Sequence, residues 1–535
     1  MDRRNFLLGA ASATLLGTVR TANAHPAQAA QSGNNDFELH EVTISDLGAR
    51  MSNGEFTSEK ITQLYLNRIE SVDRNGPTIR AVIETNPDAL SIARDLDRER
   101  KAKGPRGPLH GVPILIKDNI DTADKMQTTA GSLALVGSPV ARDAFVAERL
   151  RLAGAVLLGK TNLSEWANFR STHSTSGWSG RGGLTRNPYA LDRNPCGSSS
   201  GSGAAVSSNL SAAAVGTETD GSVVCPSSMC GIVGIKPTLG LISRSGIIPI
   251  AHSQDTAGPM TRTVRDAAML LSVLAAADSR DPATAELSGK ISVDYTKFLD
   301  VNGLKGKRIG IARQYFNISP SVTRLMESCI SDMKGAGAEI VDPVEFEKFE
   351  QWRDTETAVL LYEFKADLKS YLSARGAKVR SLADCIAFNN EHRAEEMPYF
   401  EQELMEQAQA KGDLSSKEYR DALAANLRFT RKDGIDALFK KHKLDAICGP
   451  TSGPSWMTDL VAGDHADSGC ASPPAVAGYP HITVPAGFVF GLPVGISFFG
   501  QAWTEPALLP IAYSFEQIRK ARRAPSFLPT ANLSS

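Results

Sequence analysis

The chain has 535 residues, of which 42% are hydrophobic and 22% are charged, and its net charge is −1 at pH 7. These values are ordinary for a globular protein and exclude a disordered or fibrous chain. Acidic and basic residues are interspersed, so the chain lacks the basic stripe that binding to nucleic acid or to an anionic membrane needs. We therefore expect a small molecule or a short peptide as the partner.

The first 24 residues have the composition of an export signal. Arg3 and Arg4 stand just ahead of an apolar stretch that runs to Val19, and Ala22-Asn23-Ala24 has the small-x-small pattern of a cleavage site. The arginine pair, with Phe-Leu shortly after it, resembles the bacterial twin-arginine signal. We expect an exported, periplasmic protein without stable membrane insertion, because the apolar stretch is too short to span a bilayer. Residues 25–36 are expected to form a flexible lead-in.

Short apolar runs alternate with helical patterns along the chain. Thr57 and Ser58 are good N-cap residues ahead of a helical pattern from Ile61 to Val72. Residues 340–435 contain few strand-like runs, which predicts a helical insertion that serves either as plain scaffold or as a lid over the substrate. Six apolar runs, each bounded by Gly, Pro or polar residues, are typical of buried strands: Val112–Ile116, Ala155–Leu158, Ala212–Val215, Ile309–Ala312, Ala446–Cys448 and His481–Pro485.

This order of elements predicts an α/β fold. We expect one large domain over residues 37–535, with a central mixed β-sheet covered by helices on both faces. Seven cysteines are scattered without a C-x-x-C pair, and nine histidines show no H-E-x-x-H motif. We therefore predict neither a metal nor a cofactor.

The most unusual composition is that of Asn194–Gly203, which is rich in Gly and Ser. It runs directly into the helical stretch Ala204-Ala205-Val206, so we interpret it as a tight loop before a helix rather than as a linker. Small residues let the backbone approach other atoms closely, and the hydroxyls can project from the turn. No Gly-Lys-Ser/Thr follows, which excludes a phosphate-binding loop.

A second loop, Gly216–Ser222, follows the predicted strand Ala212–Val215 and precedes a helix-like run. A serine at the end of such a strand-turn-helix segment lies near several backbone N–H groups that converge on one point, as an oxyanion requires. If this loop stood alone, an ordinary serine N-cap would be the better interpretation.

A third segment ends in Lys117, which follows the predicted strand Val112–Ile116. Lysines are seldom buried unless they are paired. Burial would disfavour the charged form and lower the pKa of Lys117, which is what a lysine base needs. The alternative is a solvated lysine at the end of a strand.

Taken together and in this order, the three segments resemble the amidase signature family. Its hallmarks are a strand-borne lysine, a Gly/Ser-rich loop and a Gly-Ser nucleophile followed by Cys-Gly-x-x-Gly-x-Lys-Pro-Thr, present here as Cys230–Thr238. In the family the first serine of the Gly-Ser-Ser loop lies 24 residues before the nucleophile, and this spacing selects Ser198 as the partner of Ser222. The resemblance extends from about Phe37 to about Arg523 and is greatest to bacterial peptide amidases.

The resemblance implies a serine amidase that hydrolyses linear carboxamides, with the C-terminal amide of peptides as the expected substrate. Ser222 is the expected nucleophile, and Ser198 and Lys117 are the expected proton shuttle. The expected oxyanion donors are four backbone N–H groups, those of Thr219, Asp220, Gly221 and Ser222.

Two positions depart from the broader family pattern. Asp220 stands at the first position of the usual Gly-Gly-Ser, and Val224 stands where many members have arginine. Both departures resemble the peptide-amidase branch. They weigh against the ammonia-transfer enzymes that act on aminoacyl-tRNA, as does the expected export signal.

Three other interpretations remain. Gly197–Gly201 satisfies Gly-x-Ser-x-Gly around Ser199, which would suit an α/β-hydrolase with His442 or His481 as its base, although the polar segment 185–195 is unlike the buried strand that this motif follows. A broad-specificity amidase or esterase on small aryl or alkyl amides would use the same three catalytic residues. An exported, non-enzymatic binding protein would use the Gly/Ser loop as an anion nest.

Overall fold

A computed structural model describes residues 36–533, except for residues 288, 377, 467 and 468. The expected signal peptide, residues 1–24, and nearly all of the lead-in lie outside the described residues. No helix within the described ranges combines the length and the apolar character needed to cross a membrane.

The described residues form strands and helices in mixed order. The strands are β1 Val82–Thr85, β2 Pro113–Lys117, β3 Val156–Thr161, β4 Trp178–Ser179, β5 Gly183–Leu184, β6 Ala213–Glu218, β7 Val233–Lys236, β8 Thr256–Thr261, β9 Arg308–Ile311, β10 Glu339–Val341, β11 Ala446–Pro450, β12 His481–Val489 and β13 Leu492–Phe499. The α-helices are α1 Ile44–Ser52, α2 Ser58–Arg68, α3 Ala89–Lys103, α4 Phe145–Leu152, α5 Ser200–Ser207, α6 Val224–Met229, α7 Val264–Leu274, α8 Pro320–Gly335, α9 Arg353–Arg375, α10 Leu382–Glu391, α11 Arg393–Glu396, α12 Glu403–Ala410, α13 Lys417–Leu427, α14 Asp436–His442, α15 Ser472–Val476 and α16 Glu505–Arg519. Two π-helical segments, Ile69–Arg74 and Arg428–Ile435, extend α2 and α13.

Eleven strands form one mixed sheet in the order β1-β3-β2-β6-β8-β7-β12-β13-β11-β9-β10. The β3-β2-β6 and β11-β9-β10 neighbours are parallel, and the other pairs are antiparallel. Helices flank the sheet, so the predicted single α/β domain is confirmed. β4 and β5 form a separate two-stranded sheet.

All six predicted strands are present, with ends shifted by a few residues. Five further strands of the large sheet were not predicted: β1, β7, β8, β10 and β13. β8 and β13 contain Gly and Pro, residues that normally argue against a strand interior. They are strands because both have hydrogen-bonded neighbours on either side in the sheet.

The predicted N-cap of the early helix is confirmed. The Thr57 side chain accepts a hydrogen bond from the backbone N–H of Lys60, and α2 begins at Ser58. The regular helix ends at Arg68, and the predicted apolar stripe continues through the π-helical segment to Arg74.

Between β10 and β11 the described residues form helices and turns, from α9 to α14. Apolar residues of α9, including Phe364 and Leu368, pack in one hydrophobic cluster with Leu163 and Phe169, which precede the Gly/Ser loop. This helical segment therefore rests on the part of the chain that leads into the predicted site.

The sheet topology brings the predicted site segments together. β2 and β6 are parallel neighbours, with Ile114 paired to Ala213 and Ile116 to Val215. Their carboxyl ends therefore lie at the same edge of the sheet. Lys117 ends β2, and the loop from β6 to Ser222 starts beside it.

Candidate active site

Lys117 lies at the centre of the site and is completely buried. Its Nζ atom lies 2.8 Å from the Oγ atom of Ser198 and 2.8 Å from the Oγ1 atom of Thr217. Burial lowers the pKa of Lys117 to about 7, against the opposing effect of the negative charges of Asp255 and Glu218. A substantial fraction of the amine is therefore neutral near pH 7.

Two neighbours of Lys117 were missed by sequence reasoning. The Thr217 hydroxyl accepts hydrogen bonds from Lys117 Nζ and from Asn119 Nδ2, the latter over 3.0 Å. The Thr217 carbonyl oxygen lies 3.2 Å from the same Nζ atom. Thr217 lies within the second loop segment and Asn119 lies two residues after the end of β2, but their roles depend on the pairing of β2 with β6.

The backbone of the Gly/Ser loop is held in place from several directions. The Ser198 carbonyl accepts a hydrogen bond of 3.1 Å from the Ser164 N–H. A Cβ atom at Gly197 would overlap the Ser164 hydroxyl, so any larger residue there would force that side chain to move. The peptide bond between Gly197 and Ser198 is cis. The Ser198 side chain lies beside Lys117.

Ser222 lies at the end of the second loop, as expected, and only 7% of it is exposed. Its carbonyl accepts a hydrogen bond of 3.1 Å from the Ser199 N–H, so the two loops are in direct contact. One carboxylate oxygen of Glu218 accepts hydrogen bonds from the N–H groups of Val223 and Val224, over 2.8 and 3.1 Å. Glu218 therefore fixes the backbone directly after Ser222. Sequence reasoning did not single it out.

The turn before Ser222 contains a left-handed residue, Gly221, whose φ is +77°. Among the described residues no backbone or side-chain acceptor is hydrogen-bonded to the N–H groups of this turn, those of Thr219, Asp220, Gly221 and Ser222. These are the four groups expected as oxyanion donors.

Asp255 supports the same turn from the segment that leads into β8. Its carboxyl oxygens accept hydrogen bonds of 2.6 Å from the Thr219 hydroxyl and of 2.8 and 2.9 Å from the N–H groups of Ile250 and Ala251. Burial raises the pKa of Asp255 to about 6. At neutral pH its charge therefore favours the protonated form of Lys117. The sequence resemblance included this segment but gave Asp255 no role.

Asp220, which replaces the usual glycine, connects the turn to the helical segment. Its buried carboxyl interacts with Ser472 and with Glu356 in the first turn of α9. Gln254 Nε2 donates to both Glu356 Oε1 and the Thr219 carbonyl, over 2.9 and 3.2 Å. Burial raises the pKa of both Asp220 and Glu356. The start of α9 therefore contacts the turn that carries Ser222.

A cavity of about 300 Å³ adjoins the Lys117 network. Asn119, Thr217 and Thr219 line one side, and α9 contributes Asp367 and Tyr371. The buried Oδ1 atom of Asn119 has no hydrogen-bond partner within the described part of the chain. The helical segment thus forms part of the wall of the cavity next to the site.

One cluster in this wall has the side-chain types of a metal site. Ligand atoms of His252, Glu363 and Asp367 lie within 4.8 Å of one another. Each is already bonded: His252 Nδ1 lies 2.9 Å from Asp367, and Glu363 accepts hydrogen bonds from Tyr419 and from the Ser253 N–H. The cluster is an ion-paired network whose donors and acceptors are used within the protein.

The α/β-hydrolase interpretation is wrong. Ser199 is completely buried, and its hydroxyl is bonded to the backbone of Thr217, over 3.0 and 3.2 Å. His481 is buried in β12 against Ser497, and burial lowers the pKa of His481 to about 3. Residues 185–195 form isolated bridges and turns rather than a strand.

Known proteins are similar in sequence over most of this chain. The Amidase family profile matches residues 60–509. A protein of Arabidopsis thaliana described as a probable amidase is 43% identical over 502 residues, which cover 92% of this chain and 93% of that protein.

Two solved structures are similar to this chain in both sequence and fold. The native peptide amidase from Stenotrophomonas maltophilia is 51% identical and superposes with a TM-score of 0.87, covering 92% of this chain and 99% of its own. The peptide amidase PAM in complex with the competitive inhibitor chymostatin is also 51% identical, with a TM-score of 0.89, and covers 91% of this chain and 100% of its own.

Proposed function

The chain belongs to the amidase signature family and hydrolyses the C–N bonds of amides, and from this premise we propose that it removes the C-terminal amide group of short peptides. The sequence identity of 51% to a peptide amidase, over more than nine-tenths of both chains, supports this substrate class. Asp220 and Val224, which depart from the broad family pattern, support it as well.

The observation that carries the mechanism is the buried contact of 2.8 Å between Lys117 Nζ and Ser198 Oγ, next to Ser222. In the proposed reaction the Ser222 hydroxyl attacks the amide carbon. Ser198 accepts the Ser222 proton and passes its own proton to neutral Lys117. The proton then returns along the same path to the departing nitrogen, which leaves as ammonia.

The turn before Ser222 supplies the charge stabilisation that the tetrahedral intermediate needs. The N–H groups from Thr219 to Ser222 bond to its oxyanion, and each well-aimed donor contributes on the order of 3 kcal/mol. Water then attacks the acyl-enzyme by the same proton path in reverse, which releases the peptide acid and restores Ser222.

Ammonia release from a C-terminally amidated dipeptide tests the proposal. Mass spectrometry of the products should show a gain of one mass unit as –CONH₂ becomes –COOH, with the internal peptide bond intact. Ser222→Ala serves as the inactive control. A ladder of internally cleaved products, or turnover confined to simple aryl and alkyl amides or to esters, would contradict the peptide-amide substrate while leaving the amidase assignment in place.

We also propose that the protein is exported through the twin-arginine route. The support is sequence alone: Arg3 and Arg4, the apolar stretch to Val19, and the Ala22-Asn23-Ala24 pattern. Cell fractionation with N-terminal sequencing should find a periplasmic protein that begins at His25. A cytosolic protein that keeps residues 1–24, or export unaffected when both arginines are replaced by lysine, would exclude this route.

A further inference from the structure

The two loops that carry Ser198 and Ser222 are joined by a disulfide bond. Cys196 stands two residues before Ser198, and Cys225 stands three residues after Ser222. Their Cα atoms are 6.0 Å apart. The other five cysteines lie in the described part of the chain, and all are free and buried. The cysteine spacing in the sequence did not predict this pair.

Two links join the loop of Ser198 to the segment of Ser222, and they lie on opposite sides of Ser198 in the sequence. Directly after Ser198, the Ser199 N–H bonds to the Ser222 carbonyl over 3.1 Å. Two residues before Ser198, the connection to the Ser222 segment is covalent, through Cys196. The chain is therefore attached to the segment of the nucleophile on both sides of Ser198.

The backbone at Cys196 needs such a constraint. Its φ is +62°, a left-handed conformation that is unfavourable for a residue with a side chain. Asn194 Oδ1 accepts from the Cys196 N–H over 2.8 Å, and Ser200 Oγ donates to the Cys196 carbonyl over 2.6 Å. Unfavourable backbone conformations persist only where several contacts hold them together. The disulfide adds a covalent contact to these two hydrogen bonds.

We propose that the Cys196–Cys225 disulfide positions Ser198 relative to Ser222 for proton transfer, so that amide turnover depends on the thiol redox state of this pair. The inference rests on the proposed mechanism. A displacement of the loop by about 1 Å would lengthen the proton path from Ser222 through Ser198 to Lys117, and misplacements of that size cost on the order of 10²-fold in rate.

A small dithiol reductant can reach the bond, because Cys225 is only partly buried whereas Cys196 is 7% exposed. A reductant thiolate attacks Cys225 Sγ, and the S–S bond breaks with Cys196 Sγ as the leaving thiolate, which then takes up a proton. The second thiol of the reductant displaces Cys225 from the mixed disulfide. The protein gains two thiols, and the reductant becomes a cyclic disulfide.

The experiment uses the full chain, with dithiothreitol as the reductant. Alkylation of the denatured protein should label five cysteines without reductant and seven after reduction. On a dipeptide amide, the reduced enzyme and the Cys196→Ala/Cys225→Ala variant should both lose about 10- to 100-fold in kcat, with a much smaller change in KM. Reoxidation of the reduced wild type by a small disulfide should restore the rate.

Cys230→Ala is the matched control, because Cys230 is buried, free and close to Cys225 in the chain. It should lose one alkylation site in both states and respond to reductant like the wild type. Circular dichroism at the assay temperature reports folding for every sample. Unchanged kcat in folded, reduced protein would overturn the inference, as would unfolding of both the reduced enzyme and the double variant, which would make the bond only a global stabiliser. An oxidised wild type without amidase activity would instead contradict the proposed function.

Discussion

The Nζ atom of Lys117 lies 2.8 Å from the Oγ atom of Ser198, and both side chains are almost completely removed from solvent. Burial lowers the pKa of Lys117 to about 7, so a substantial fraction of the amine is neutral near pH 7, and the short contact lets it exchange a proton with the Ser198 hydroxyl. Ser198 in turn lies in a loop that contacts Ser222 through the Ser199 N–H.

Lys117→Ala removes the only proposed base and should lower amide turnover about as far as Ser222→Ala, by roughly 10⁴-fold or more. The Lys117→Ala/Ser222→Ala double variant should lose little further, because residues that act as a unit are not additive. Steady-state kinetics on a dipeptide amide measure all three. A nearly active Lys117→Ala enzyme would refute the proton shuttle.

The same variant should discriminate between leaving groups. An amide nitrogen must be protonated as it leaves, whereas the phenolate of an activated ester need not be. Lys117→Ala should therefore slow hydrolysis of an activated ester less than hydrolysis of the matching amide. The ratio of the two kcat/KM losses, measured on substrates with the same acyl group, decides the point, and equal losses would mean that Lys117 does not protonate the leaving nitrogen.

The value of kcat/KM should fall as the pH is lowered below about 7. Lys117 has a pKa of about 7 and acts only when neutral, so kcat/KM should rise with pH up to about 7 and then level off. Below that pH the protonated amine cannot accept the proton from Ser198. A profile recorded between pH 5 and 9 with folding checked at each pH tests this, and a flat profile across that range would argue against a lysine base.

Asp255→Asn should shift that acid limb to lower pH. The Asp255 charge favours protonated Lys117 and so raises its pKa, and removing the charge lets the pKa fall further. Asp367→Asn is the control, since Asp367 also lines the cavity but is not among the charges that raise the pKa of Lys117. An acid limb that moves equally in both variants would show that Asp255 does not act through Lys117.

Ser199→Ala and His481→Ala should leave far more activity than Ser198→Ala. The Ser199 hydroxyl bonds to the backbone of Thr217, so its removal should cost about 1–3 kcal/mol of unfolding free energy while sparing catalysis. His481 is buried in β12 and contacts Ser497. Urea denaturation and turnover, measured on the same samples, separate stability from catalysis. Loss of turnover in a folded His481→Ala enzyme would point to a role that the geometry does not show.

Local sequence determined several parts of the fold and site. Each predicted strand is a short apolar run, and such a run is buried whichever strands become its neighbours. Helix α2 starts after Thr57 because the N-cap hydrogen bond joins residues only three positions apart. The positions of Lys117 at the end of a strand, and of Ser198 and Ser222 in tight turns, follow from the same local rules. The family resemblance then supplied the spacing that joined them.

Two strands, several side-chain contacts and the disulfide were decided only by the tertiary structure. β8 and β13 form despite their Gly and Pro residues because their neighbours in the sheet provide the hydrogen bonds. The contacts of Asp255 with Thr219 and of Glu356 with Asp220 join residues far apart in the chain. The Cys196–Cys225 pair likewise depends on how two loops meet. Such contacts depend on the path of the chain between the partners, so a one-dimensional pattern contains the residues but not their proximity.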